Sequence, residues 1–178
     1  MRYFLEVSYK GTNYSGFQSQ LNANTIQAEI ENAFRVLLKN KIELTGSSRT
    51  DAGVHALQNY FHFDVENEVS PKLLYNLNAI LPADIAAKKI IKVKDDAHCR
   101  FDAISREYKY FIYKKKDPFL AGRAFYFPYT LDLDAMKKAA GIIKEYPRLL
   151  PIRGCVRPVV TSYHVVCLSL GSLIELRI

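Results

Sequence analysis

Apolar positions along the first half of the chain follow two periods in turn. Tyr3, Leu5, Val7 and Tyr9 share one side of an alternating run from Arg2 to Tyr9, which predicts a strand. Lys10 to Ala23 (KGTNYSGFQSQLNA) reads as a loop. Asn24, with Gln27 three residues on, has the spacing of a capping box. Ile26, Ile30, Ala33, Phe34, Leu37 and Leu38 then recur at helical spacing, so 25–39 is expected to be an amphipathic helix. The segment 42–46 (IELTG) predicts a second short strand, and 47–57 a loop. Phe61, Phe63 and Val65 alternate with Tyr60, His62 and Asp64 in a third strand. Ser70-Pro71 opens a second helix that runs to Leu81, where Pro82 and Asp84 close it, and Ile85 to Val93 supplies a fourth strand.

The order β-α-β-β-α-β predicts an α+β domain of ferredoxin-like (RRM-like) type, an antiparallel sheet with its helices on one face. Beyond it come an extra strand at 105–114, a connector and a third helix at 133–146. Composition then changes. All fifteen lysines lie at or before Lys144, whereas 147–178 holds four arginines, one acid and two of the three cysteines. Residues 1–146 are therefore expected to form one domain and 147–178 an atypical tail, with a shifted reading frame as one source of such a break.

With 178 residues, 49% of them hydrophobic, the chain can bury a core, which excludes disorder as its main state. Three cysteines are too few for a disulfide scaffold. No apolar run approaches the ~20 residues of a membrane helix, and the amino terminus lacks the uncharged core of a signal peptide. The expectation is a soluble, cytoplasmic protein. A net charge of +7 favours a polyanionic partner, with nucleic acid ahead of membrane because no basic amphipathic helix stands out.

The segment GSSRTDAGVHA, 46–56, is a loop between two strands that sets a lone acid, Asp51, between Arg49 and His55. Rigid scaffolds present reactive groups on such loops. A carboxylate beside an arginine stays ionised, and once desolvated it can act as a nucleophile or stabilise a cation at a sugar carbon. The alternative is that Arg49 and Asp51 pair and brace a hairpin. His55, His62, His98 and Cys99 lack zinc-ligand spacing, so no metal site is expected and Cys99 reads as a small buried residue. A glycosidase reading fails because no second carboxylate accompanies Asp51 in a motif.

Five segments together carry a resemblance. They are YKGTNYSGFQ at 9–18 followed by TIQ at 25–27, RTDAGVHA at 49–56, NAILPADI at 78–85, AHCRFDA at 97–103 and REYKY at 106–110. In this order they resemble the tRNA pseudouridine synthase A family over about 1–146. The resemblance implies that Asp51 is the catalytic nucleophile, that Arg49 helps to flip the nucleotide and hold it extruded, and that Tyr108 stacks on the target uracil. It implies isomerisation of uridine to pseudouridine at positions 38 to 40 of the tRNA anticodon stem-loop, without cofactor or metal, in proteins that pair as homodimers. Unstacking the base costs a few kcal/mol, of which aromatic stacking returns roughly 1–3 kcal/mol. Lys88, Lys89, Lys92, Lys94 and Lys114 to Lys116 are candidates for phosphate contacts. After Tyr146 the chain departs from the family, whose second half carries DFTSF-like and NxFLxxMVR-like motifs and closes the cleft. An inactive remnant that binds RNA, or has no function, is the rival reading.

Overall fold

The computed structural model describes residues 1–104, 106–145, 166–170 and 173–177. The chain divides into two compact units, Met1–Asp102 and Ala103–Ile178. The composition break near Tyr146 lies outside the described residues.

The first unit runs β1 (Arg2–Tyr9), α1 (Ile26–Leu38), β2 (Thr45–Gly46), β3 (Ala56–Asp64), α2 (Leu73–Ile80) and β4 (Ile85–Val93). Its strands lie in the order β2-β3-β1-β4 and every pair is antiparallel. This is the ferredoxin-like order that the element sequence predicts. Tyr3, Leu5, Val7 and Tyr9 of β1 are buried with Phe61 and Phe63 of β3 against Ile26, Ile30 and Phe34 of α1 and Leu73 and Leu77 of α2. Tyr3 stands opposite Phe63, their rings stacked at 5.8 Å, and Leu5 stands opposite Phe61. The alternating apolar face thus fixes the register, since a one-residue slip would turn these side chains to the other face.

Three local expectations change. The cap of α1 is Thr25, not Asn24: its φ of −134° and ψ of 152° lie outside the helix, and Oγ1 accepts the Ala28 N–H at 3.3 Å. Gln27 is not a capping-box partner. Its Nε2 donates to the Leu44 carbonyl at 2.9 Å, while Glu31 Oε1 accepts the Leu44 N–H at 3.0 Å. Those bonds also explain why β2 spans only Thr45–Gly46. Side chains of α1 satisfy the Leu44 backbone in place of a ladder, although Ile42 and Leu44 are buried as expected. Likewise α2 begins at Leu73, two residues past Pro71, because Ser70 first forms a turn in which its hydroxyl accepts the Lys72 N–H.

The second unit holds β5 (Lys109–Tyr113), β6 (Phe125–Tyr126), α3 (Leu133–Glu145), β7 (Val166–Leu170) and β8 (Leu173–Arg177). They form a sheet ordered β6-β5-β8-β7, in which β7 and β8 make an antiparallel hairpin and β8 pairs with β5. The extra strand and helix are therefore present. Of the strand expected at 105–114, β5 occupies the second half, Lys109–Tyr113, with Ser105 outside the described residues. Asp132 caps α3 by accepting the Ala135 N–H at 2.9 Å.

Candidate functional site

The loop 47–55 leaves β2 at Gly46 and returns to the sheet at Ala56. Its carboxylate-bearing end is a turn in which the Val54 N–H donates to the Asp51 carbonyl at 3.2 Å. Gly53, third of the four residues, has φ +79°, the value that the third position of a type II turn demands and that a side chain resists. Asp51 and Arg49 are both exposed. Among the described residues no ion pair joins them, so the bracing alternative is not how this loop is held.

What holds it is a buried network below and a second loop alongside. Asn59, 4% exposed, donates through Nδ2 to Tyr9 Oη at 3.2 Å, and its Oδ1 accepts the Ser47 hydroxyl at 2.8 Å. Tyr9 Oη and Thr50 Oγ1 share a hydrogen bond of 2.9 Å, one residue before Asp51. The loop 10–17 then clamps the other side. Phe17 N–H donates to the Thr50 carbonyl at 3.0 Å, Gly53 N–H to the Tyr14 carbonyl at 3.3 Å, and Gly11 N–H to His55 Nδ1 at 2.9 Å. Two glycines make the clamp possible. Gly16 sits at φ +96° against the Thr50 carbonyl, and a Cβ on Gly11 would collide with the Val54 carbonyl.

Loop 10–17 is itself tied to the start of β4. Asp84 accepts the Tyr14 hydroxyl at 2.5 Å and the Asn13 amide at 3.3 Å, and its carbonyl takes the Lys10 N–H at 2.8 Å. Burial, and then the hydrogen bond to Asp84, hold the Tyr14 phenol well above its ordinary range, so it stays a protonated donor. Asn78 of α2 bonds both the N–H and the carbonyl of Ala87 at 2.9 Å, fixing α2 to β4. The NAILPADI segment therefore acts as scaffold for the Asp51 loop. Tyr9, Tyr14, Thr50, His55, Asn59 and Asp84 were not singled out as site residues from sequence. For all but Asn59 the signal was membership of the resembling segments; Asn59 lies outside them and carried none.

Behind the sheet, His62 is 7% exposed, with Cys99 Sγ 3.2 Å from its Nδ1. Cys99 is a small buried residue as expected, its thiol donating to the Thr45 carbonyl at 3.1 Å. Burial, followed by the nearby His98, lowers the His62 pKa. Among the described residues no group of three His, Cys, Asp or Glu side chains is placed to hold a metal ion. No helix among them is long and apolar enough to cross a membrane. Tyr108 belongs to the second unit, just before β5, and is 43% exposed, outside any core.

A ferredoxin-like sheet that carries an exposed, clamped carboxylate loop with an adjacent arginine defines an α+β domain with a carboxylate-centred site, in a chain whose net charge is +7. Comparison makes the class specific. The profile of the family described as tRNA pseudouridine synthase matches residues 6–102. The tRNA pseudouridine synthase A of Staphylococcus aureus (strain JH1) is 43% identical over 143 residues, covering 79% of this chain and 54% of that protein. The protein of the same name from Parabacteroides distasonis is 43% identical over 147 residues, covering 82% and 58%. The chain belongs to the tRNA pseudouridine synthase family. It spans about half the length of the curated relatives it matches.

Proposed function

We propose that this chain carries the aspartate-bearing half of a tRNA pseudouridine synthase, with Asp51 as the nucleophile. The supporting observation is the clamp: a carboxylate held at the start of a turn by the Tyr9–Thr50–Asn59 network and by loop 10–17, yet open to a ligand. In this reading Asp51 attacks C1′ of a flipped uridine as the N1–C1′ bond breaks. The detached uracil turns, C5 bonds to C1′ as the carboxylate leaves, and loss of the C5 proton with protonation at N1 completes pseudouridine. The carboxylate and the base supply this chemistry without cofactor or metal. Arg49 holds the extruded nucleotide and Tyr108 stacks on its base. The substrate is the tRNA anticodon stem-loop at uridines 38 to 40.

An exposed carboxylate works in a high-dielectric setting, which weakens its stabilisation of a developing cation. The relatives' remaining length is where a wall that excludes water would come from, and this chain's tail does not resemble their second half. The second reading, RNA binding without turnover, rests on that exposure.

One assay separates the two: pseudouridine formed on unmodified tRNA by the purified 178-residue chain, quantified by nucleoside mass spectrometry. Turnover that falls by about 10³-fold or more in Asp51→Ala, with RNA binding kept, is the expected result. Turnover that persists in Asp51→Ala removes the nucleophile assignment. RNA binding with no product from the unsubstituted chain selects the second reading.

A further inference from the structure

Beside the Asp51 loop lies a cleft of about 190 Å³ that Asp51 itself does not line. Its floor is Phe17, 2% exposed and 4.9 Å from the Phe61 ring, pressed so close to Gly46 that any side chain there would strike it. Arg49 lines one side, and His98, Arg100 and Phe101 line the other. Two arginines thus line this space, and no acidic residue does. Among the described residues Arg49 has no carboxylate partner.

The far side is preorganised. The N–H groups of Arg100 and Phe101 both donate to His98 Nδ1, at 3.2 and 3.3 Å, and the His98 N–H donates to Asp102 Oδ2 at 2.7 Å. The His98 ring lies 4.1 Å from Phe101 and 4.6 Å from His62. Phe101 is pinned on that side, yet the residue is 63% exposed.

We propose that this cleft is a nucleotide subsite. Arg49 and Arg100 take a phosphate of the RNA strand next to the target nucleoside, and the neighbouring base stacks on Phe101. The inference rests on the RNA reading above and adds Arg100 and Phe101 to it as binding residues. Guanidinium forks match phosphate oxygens in pairs, and an exposed ring accepts any base face. Arg49 is two residues from Asp51, a backbone span of at most about 7 Å, so the cleft lies beside the loop that carries the carboxylate.

The test uses the full chain in two arms. In the first, uridine monophosphate is titrated while NMR follows the Arg100 Nε–Hε and Phe101 ring signals. Saturable shifts at both, lost in Arg100→Gln, are expected. In the second, an anticodon stem-loop RNA is titrated at several salt concentrations. Arg100→Gln should weaken binding about 3- to 10-fold and reduce the logarithmic salt slope by about one. Phe101→Ala should weaken binding about 5-fold or more with the slope unchanged. Arg100→Lys, which keeps the charge, should keep the slope and secures the test should Arg100→Gln not fold. Stem-loop binding that neither Arg100 variant nor Phe101→Ala alters overturns the subsite and leaves the RNA reading standing. Mononucleotide shifts at Arg100 and Phe101 without stem-loop binding keep the subsite and overturn the RNA reading. Silence at both residues in both arms overturns the subsite.

Discussion

Asn59 and His62 show how much of this molecule is decided by single buried polar side chains. Asn59 links the Asp51 loop to β1 through Tyr9 and is buried, so removing its amide leaves the buried Tyr9 hydroxyl one hydrogen bond short. Asn59→Ala is expected to lower unfolding stability by about 1–3 kcal/mol in urea titration and to loosen the loop. His62 makes a different prediction. Burial, helped by His98 and Arg2 and opposed by Asp64, depresses its folded pKa below the unfolded value of 6.5. The unfolded chain then binds the extra proton first, so this contribution is present above about pH 6.5 and is lost as pH falls through the folded value. Melting temperature should decline on acidification below that point, and His62→Gln should flatten the decline. An unchanged slope in that variant would remove His62 as its source.

Among elements, α1 makes the clearest case for reading caps from geometry. Asn24 and Thr25 are both good caps by residue type, and the capping-box spacing favours the first. Thr25 prevails because Gln27 is drawn across to Leu44, which leaves no partner for a box. Thr25→Ala should cost about 1 kcal/mol in chemical denaturation, and Asn24→Ala close to none, since Asn24 contributes its backbone carbonyl to the Ser15 N–H. Equal losses in the two variants would return the cap to Asn24. The same logic explains β2. Its apolar alternation is real and its residues are buried, but helix side chains rather than a strand take the Leu44 backbone.

For the whole molecule, charge makes the prediction. Excess cation spread over a net +7 chain should bring RNA binding whose affinity falls steeply with salt, as counterions are released from phosphate. Measured between about 50 and 200 mM salt, a loss of roughly 10-fold or more is expected if even a few phosphates are neutralised. A flat response would leave the positive charge as ordinary solvated surface.

Local periodicity was enough to determine the β-α-β-β-α-β order, the apolar face of β1 and the placing of Asp51 and Arg49 on a loop between strands. Each of these depends on residues a few positions apart, whose side-chain direction the backbone period dictates. The tertiary structure alone decided the rest. The Tyr14–Asp84 bond joins positions 70 apart, Asn59–Tyr9 positions 50 apart, and His62–Cys99 positions 37 apart. The clamp on the Asp51 loop, the burial of His62 behind the sheet and the arginine-lined cleft all arise from such pairings. No local pattern encodes them, because they exist only once the packed sheet has brought distant loops to the same place.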